Sequence, residues 1–190
     1  MQGHRDSLLR APPLPAFAGT GSNPPHEGEG IRSVLLHGFA MLTETQIAAM
    51  IAAARACLGT PFHHQGRLPG QGRDCIGLVV VAARAAGLAV ADRADYGRRP
   101  DGGSLVEALL AHGAVHVDGP GVVRAGDILV FRYDGQPQHV ALATGADAMI
   151  HSFAPAGQVV ETSLGGYWRR RLAGVYSMTP ENRDADGPPP

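Results

Sequence analysis

The feature that most constrains the fold is the apolar segment at residues 74–87, DCIGLVVVAARAAG. A glycine-rich loop leads into Asp74, and Asp favours the N-cap position because its carboxylate accepts one of the unpaired N–H groups at a helix start. Gly87 stands where a left-handed helix stop is expected, and only Arg84 is charged between the two ends. The pattern predicts a helix that starts at Cys75 and is buried on nearly every side, with this cysteine at the floor of a cleft.

Two interpretations of Cys75 follow from this position. The positive end of the helix dipole stabilises a thiolate, which is the nucleophilic form of the side chain. A lone cysteine is also commonly a small core hydrophobe, and the carboxylate of Asp74 opposes a second negative charge beside it. A catalytic interpretation therefore requires a base elsewhere in the chain.

Two histidines meet that requirement. Alternation in residues 138–144 places His139 on one face of a strand, and residues 148–153 form the returning strand. With a turn at residues 144–146, His139 lies directly opposite His151, with Cβ atoms about 5 Å apart. His139 is then placed to take the proton from Cys75, and His151 to fix the tautomer of His139.

Four blocks of the sequence, in order, resemble the signatures of the NlpC-type cell-wall peptidases, which are papain-like murein endopeptidases. The blocks are residues 73–79 (RDCIGLV), 126–131 (GDILVF), 138–142 (QHVAL) and 149–152 (MIHS), and the resemblance extends over about residues 42–177. More narrowly, residues 59–67 (GTPFHHQGR), followed by DCIG, resemble the branch encoded in prophages and gene-transfer-agent clusters of alphaproteobacteria.

The resemblance assigns roles to individual residues. It makes Cys75 the nucleophile, His139 the general base and later acid, and His151 the residue that orients His139. Family members commonly carry a tyrosine at the position of Phe62, and its hydroxyl is thought to assist the oxyanion. A phenylalanine side chain cannot donate a hydrogen bond. The oxyanion then has fewer donors besides the backbone N–H of Cys75, and weak activity is expected. The candidates for oxyanion or substrate contacts are Phe62, His63, His64, Gln65 and Asp74.

The resemblance also implies a substrate and a setting. The substrate is the stem peptide of peptidoglycan, cut between D-glutamate and meso-diaminopimelate. The setting is the tail tip of a phage or phage-like particle, with tail-hub proteins as partners, assembled in the cytoplasm and acting at the periplasmic cell wall. Two alternatives stay open: a non-catalytic tail-hub plug or wall-binding module, which Phe62 favours, and an amidase or acyltransferase on the same scaffold.

Charge and composition exclude several other classes. The formal net charge of −1 gives no nucleic-acid footprint, although all 16 basic residues are Arg and three are consecutive at 169–171. No apolar run is long enough to span a membrane. The two cysteines form no disulfide framework, and Cys57 falls on the apolar face of an early helix. No ligand spacing typical of zinc appears, so we predict no metal and no cofactor.

The termini differ from the rest of the chain. Residues 1–40 are rich in Pro, Gly and Ser without a hydrophobic period, which predicts a disordered or loosely attached extension. They contain no continuous apolar segment, so no signal peptide is expected. Met41 directly precedes the first patterned helix, which favours translation from that residue. We expect the peptidase domain at residues 41–178 and a disordered tail at 179–190.

The order of elements predicts an α+β, papain-like domain. Capping boxes at Thr43 with Gln46, and at Ser104 with Glu107, begin helices. Strand patterns then dominate, so the N-terminal helices should pack on one side of an antiparallel, meander-like sheet. We expect the two histidines on the face against which the Cys75 helix packs. The predicted strands are residues 115–117, 128–133, 138–144, 148–153, 158–162 and 172–178.

Overall fold

The computed structural model of the protein describes residues 41–68, 70–92, 96–97, 103–117 and 123–179. The predictions for residues 1–40 and 180–190 fall outside these ranges. Thr179, which we assigned to the tail, is buried, and its hydroxyl donates a 2.9 Å hydrogen bond to the carbonyl of Gly113.

The first helix, α1, spans Glu44–Arg55 and begins at the predicted capping box. The side chain of Thr43 accepts a hydrogen bond from the backbone N–H of Gln46, and the Gln46 side chain accepts one from the backbone of Thr43. These reciprocal bonds satisfy two N–H groups that the helix itself cannot pair. The inner face of α1 buries Met50 and Ala54 completely.

The central helix, α2, spans Cys75–Ala85, as the apolar segment predicts. Its N-cap is Asp74, whose carboxylate accepts a 2.8 Å hydrogen bond from the N–H of Gly77. Gly87 follows with a φ of 75°, the left-handed conformation that ends helices and that glycine adopts without strain. Six of its eleven residues are buried, so the helix lies in the interior.

The remaining helices are short. Helix α3 spans Ser104–Ala111, but its N-cap is Gly103 and no side chain caps it, so the predicted capping box at Ser104 is wrong. Ser104 is instead the first helical residue, one position too late to cap. A four-residue helix, α4, spans Gly166–Arg169 and has no counterpart among the predicted elements.

Within the described residues, six antiparallel strands form one sheet in the order β1-β6-β2-β3-β4-β5. Strands β2 to β5 form the predicted meander, and β6 returns to pair with the other side of β2. The mixed α+β class with an antiparallel sheet is confirmed. The strands are β1 Ala114–His116, β2 Ile128–Tyr133, β3 Gln136–Gly145, β4 Ala148–Phe153, β5 Gln158–Ser163 and β6 Leu172–Met178.

Each face of the sheet has its own apolar cluster. On one face, Val140, Leu142 and Ile150 pack with residues of α1 and α2, and α3 adds partly buried side chains to the same cluster. The predicted packing of these helices on one side is therefore confirmed. On the opposite face, Phe131 and Trp168 belong to a second cluster that contains no residue of α1, α2 or α3.

Candidate active site

The two histidines of the β3–β4 hairpin form a buried pair. Nε2 of His139 lies 2.8 Å from Nδ1 of His151, a hydrogen-bonding distance, and the ring centroids are 5.1 Å apart. His151 is fully buried and His139 is 7% exposed. The hairpin thus brings together the two imidazoles that the sequence singled out.

The strand register that joins them differs from the predicted one. Leu142 pairs with Ile150 and Ala143 with Met149, and a one-residue bulge then sets Gly145 opposite Ala148. Continued along the strands, this register sets His151 opposite residue 141, so the imidazoles are diagonal rather than directly opposite. The directly opposite pairing is wrong because the hairpin turn lies at residues 146–147 rather than 144–146, and this displacement together with the one-residue bulge moves each partner by two residues. A shift of two keeps both rings on the same face, since side chains alternate with a period of two.

That face is not the one on which α2 packs, and our expectation on this point is wrong. Val140 and Leu142, which alternate with His139 along β3, belong to the cluster that contains α2. His139 projects to the opposite side, where its ring meets Phe131 and Trp168 at centroid distances of 6.1 and 5.8 Å. Strand alternation therefore separates the imidazoles from the body of the helix.

Aromatic rings enclose the histidine pair. Trp168 of α4 is stacked on His139 and meets His151 edge-on at 4.8 Å, while Phe153 is stacked on His151 at 5.0 Å. Sequence reasoning missed all of these contacts. Phe131 and Phe153 share the strand face of the histidines, so alternation could have identified them. Trp168 gave no usable signal because it lies on a helix of only four residues.

Burial determines the protonation of both imidazoles. Burial, with a smaller contribution from the neighbouring His151, lowers the pKa of His139 to about 3. Burial also lowers the pKa of His151 to about 4. Both rings are therefore neutral at pH 7, so each can accept a proton or a hydrogen bond at one nitrogen.

Cys75 reaches the sheet where β3 and β4 separate. Within the described residues, pairing between these strands ends at Leu142 and Ile150. The backbone N–H of Val140 lies close enough to the Cys75 sulfur to stabilise its thiolate. The sulfur is thus beside the peptide unit that links His139 to Val140, although α2 packs on the other face of the sheet.

The surroundings of the thiol nevertheless favour its neutral form. Burial raises the pKa of Cys75 to about 11, and the carboxylate of Asp74 acts in the same direction, against a smaller lowering by the Val140 N–H. These effects oppose the ionisation of Cys75 that the helix dipole favours. Within the described part of the chain, no hydrogen bond joins the thiol to either imidazole. The directions of these pKa shifts favour a resting pair of neutral groups over a thiolate–imidazolium ion pair.

The carboxylate of Asp74 is the centre of a polar network beside the cysteine. Besides Gly77, it accepts hydrogen bonds from the N–H of Gln65 at 2.8 Å, from Arg67 at 2.9 Å and from the hydroxyl of Tyr96. The Gln65 side chain donates in turn to the carbonyl of Tyr96 at 2.6 Å. Asp74 is only an acceptor in this network, and its contacts order the loop before α2. The roles of Asp74 and Gln65 toward substrate stay predictions.

The other loop candidates lie next to the segment that precedes Cys75. Phe62 is half-buried, forms a bridge with Arg73 and donates its N–H to the carbonyl of Gly157 at 2.8 Å. His63 is exposed, and His64 meets Tyr96 edge-on at 5.6 Å. The structure places these side chains near the cysteine loop without linking them to the histidine pair, and their contacts with substrate stay predictions.

The described residues contain no group of three His, Cys, Asp or Glu side chains that could hold a metal ion. None of the helices in the same ranges is both long enough and apolar enough to cross a membrane.

The chain matches a protein-family model. The model of the NlpC/P60 family matches residues 59–177, which is more than half of the 190 residues. This range includes all four sequence blocks on which the resemblance rests. No curated protein sequence matched the chain.

Solved structures of proteins from this family have a fold similar to that of the chain. A protein of the NLP/P60 family from Staphylococcus aureus, described as similar to a lipoprotein, has a TM-score of 0.57 and 19% identity over 75% of this chain and 44% of its own. An NlpC/P60 family protein from Bacillus cereus has a TM-score of 0.51 and 25% identity over 68% of this chain and 39% of its own. The NlpC/p60 domain of the peptidoglycan hydrolase SagA has a TM-score of 0.51 and 25% identity over 70% and 98%.

The chain therefore spans less than half the length of the first two proteins and matches nearly all of the SagA domain. This likeness confirms the predicted papain-like α+β fold.

Proposed function

Because the chain belongs to the NlpC/P60 family, we propose that it is a cysteine peptidase that hydrolyses the stem peptides of peptidoglycan. The observation that carries the proposal is the 2.8 Å contact between His139 and His151, next to the point where the Cys75 sulfur meets Val140. The similarity to the SagA domain, which comes from a peptidoglycan hydrolase, supports the substrate class.

The first half of the reaction is acylation. His139 uses Nε2 for its contact with His151, so Nδ1 is the nitrogen that receives the thiol proton of Cys75. The sulfur attacks the substrate carbonyl, and the oxyanion that forms is stabilised by the backbone N–H of Cys75. His139 then gives its proton to the leaving amine, the C–N bond breaks, and a thioester remains on Cys75.

The second half of the reaction is hydrolysis of the thioester. A water molecule gives a proton to Nδ1 of His139 and attacks the carbonyl carbon. The C–S bond breaks, the proton returns to the sulfur, and the carboxylic acid product leaves. The neutral resting state fits this cycle because a neutral imidazole is the form that acts as a base.

The resemblance in residues 59–79 extends the proposal to a bond and a setting. The bond is the amide between D-glutamate and meso-diaminopimelate. The setting is the tail tip of a phage or gene-transfer-agent particle, where the protein contacts tail-hub proteins and opens the wall locally during penetration.

A second candidate function is a wall-binding module or tail-hub plug without catalysis. Two observations favour it: the pKa of Cys75 is raised to about 11, and Phe62 has no hydroxyl to donate to an oxyanion. Both would weaken a nucleophile or its transition state while leaving a binding cleft intact.

Digestion of purified murein sacculi separates the two functions. The wild-type protein is expected to release fragments with new peptide ends, identified by mass spectrometry, and Cys75→Ala is expected to release none. Cys57→Ala is the matched control because it removes the other cysteine, which lies in the core. Binding of sacculi without new ends from wild type would establish the plug, and equal digestion by Cys75→Ala would exclude this cysteine as nucleophile.

The tail setting has its own test. Particles purified from a producing culture by density gradient should contain the protein at a low copy number, detected by quantitative mass spectrometry. Its presence only in the soluble fraction, away from particles, would contradict the tail-tip assignment.

A further inference from the structure

A line of polar side chains crosses an otherwise apolar face of the sheet. His139 on β3 contacts His151 on β4 at 2.8 Å, and Nε2 of His151 lies 3.2 Å from the hydroxyl oxygen of Thr162 on β5. In the β4–β5 register, Met149 is opposite Thr162 and His151 is opposite Val160. Thr162 is therefore the diagonal neighbour of His151 on the same face. Three adjacent strands each contribute one side chain to this polar line.

The hydroxyl of Thr162 is the hydrogen-bond partner of Nε2 of His151, a nitrogen that water cannot reach. His151 is fully buried, and in the described ranges its Nε2 has no hydrogen-bond partner besides Thr162. A buried polar group that loses its partner is destabilised because nothing replaces the hydrogen bond that it made with water in the unfolded chain. The contact between His151 and Thr162 therefore affects which ring nitrogen carries the proton.

We propose that Thr162 is a positioning residue that fixes the tautomers of both imidazoles. If the Thr162 oxygen accepts a hydrogen bond, the proton of His151 is on Nε2. Nδ1 of His151 is then unprotonated and accepts a hydrogen bond from Nε2–H of His139. Nδ1 of His139 is left without a proton, which is the state that a general base for Cys75 requires.

Removal of the Thr162 hydroxyl reverses the tautomers of both imidazoles. An Nε2–H on His151 would then be buried without an acceptor, so the proton is more stable on Nδ1, where His139 can accept it. His139 must in that case carry its own proton on Nδ1 and can no longer take one from Cys75. The loss of activity rests on the proposed function, whereas the tautomers of the two rings do not.

A threonine at this position also has a purely structural interpretation. β-Branched residues favour strands, and valine would serve that purpose equally well. The variant Thr162→Val keeps the branched shape and removes only the hydroxyl, so it separates the two interpretations. Thr162→Ser restores the hydroxyl. Thr144→Val is the matched control, since Thr144 is a half-buried strand residue whose hydroxyl interacts with Glu161 rather than with an imidazole.

The experiment is a long-range ¹H–¹⁵N NMR spectrum of protein labelled in its histidines, because ¹⁵N shifts distinguish protonated from unprotonated ring nitrogens. We expect protons on Nε2 of both His139 and His151 in the wild type, Thr162→Ser and Thr144→Val. In Thr162→Val both protons should move to Nδ1. On murein peptides, kcat/KM should fall at least about tenfold in Thr162→Val and recover in Thr162→Ser, since a wrong imidazole tautomer can lower kcat by as much as about 10⁴-fold.

Two outcomes would overturn the proposal. One is a wild-type spectrum with the His151 proton on Nδ1, which needs no variant and decides the matter even if Thr162→Val fails to fold. The other is a folded Thr162→Val protein with unchanged tautomers. If the wild type has no hydrolytic activity, the proposed peptidase function fails, while the NMR result still decides the role of Thr162.

Discussion

The hydroxyl of Ser152 donates a 2.6 Å hydrogen bond to the carbonyl oxygen of Arg73. Ser152 follows His151 on β4, and Arg73 stands two residues before Cys75. Ser152 projects to the α2 side of the sheet because side chains alternate along a strand. One buried hydrogen bond thus joins the strand of the candidate orienting imidazole to the loop of the candidate nucleophile.

Ser152→Ala should loosen this connection. The Arg73 carbonyl keeps a second donor, the N–H of His63 at 3.1 Å, so we expect a loss of only about 1 kcal/mol in the free energy of unfolding. The rate of sacculus digestion should fall by more than the small loss of stability explains, because the loop before Cys75 is held less firmly in place. Denaturant unfolding and sacculus digestion measure the two effects. Ser163→Ala, on the exposed end of β5, should change neither; equal effects in both variants would contradict the prediction.

Alkylation of Cys75 should report a raised thiol pKa. In Cys57→Ala protein, where only Cys75 can react, the rate with iodoacetamide should keep rising beyond pH 9 because burial raises the pKa of Cys75 to about 11. Circular dichroism at each pH confirms that the protein stays folded. In denaturant the midpoint should return to about 8.5. A native rate that levels off below pH 9 would show that the thiol is activated in the free protein.

The histidine pair should make stability depend on pH. Both folded pKa values lie below 6.5, so the unfolded chain binds protons first as pH falls. The stabilising contribution is complete above about pH 7 and declines from pH 6.5 toward pH 3, by up to roughly 1.4 kcal/mol per pH unit for each imidazole. Unfolding between pH 6.5 and 5, where carboxylates remain ionised, isolates this effect. It should disappear in the His139→Gln/His151→Gln double variant and persist in His63→Gln; its persistence in the double variant would contradict the assignment.

Asp74→Asn should lower the stability of the fold and, at the same time, lower the pKa of Cys75. Asn is an equally good N-cap, but the change removes the charge that pairs with Arg67 and replaces one acceptor oxygen by an NH2 group that cannot accept a hydrogen bond. We expect a loss of about 3 kcal/mol or more in the free energy of unfolding, together with a lower pKa of Cys75, since a negative neighbour is gone. Denaturant unfolding and the alkylation profile measure these changes. Asp92→Asn, which affects a more exposed partner of Arg67, should have a smaller effect on stability and serves as control.

Phe62→Tyr should raise activity if a hydroxyl at this position assists the oxyanion. Restoring one such donor is expected to increase kcat roughly tenfold or more with little change in KM, because the contact forms only in the transition state. Initial rates on a purified stem peptide measure both constants. Phe153→Tyr, on a ring that packs against His151 instead, is the comparison; the same gain there, or none at Phe62, would remove the oxyanion explanation.

Local signals in the sequence were sufficient for the elements that carry the candidate site. The Asp74 cap, the apolar run after it and Gly87 define α2, and strand alternation predicts that His139 and His151 share a face. Capping, turn formation and alternation act between residues close in the chain, so they can be read without knowledge of the fold. The same locality limits them, as Ser104 shows: a capping pattern was present, but the helix began one residue early.

The tertiary structure alone decided how those elements meet. The position of the β3–β4 turn and the bulge before Gly145 set the histidine register, packing determined the sheet face for α2, and burial raised the pKa of Cys75 despite the helix dipole. Trp168 and Thr162 reached the imidazoles from elements with no local functional signal. Desolvation and packing depend on groups distant in the chain, so the candidate site residues could be named from sequence, whereas their protonation and partners depend on the fold.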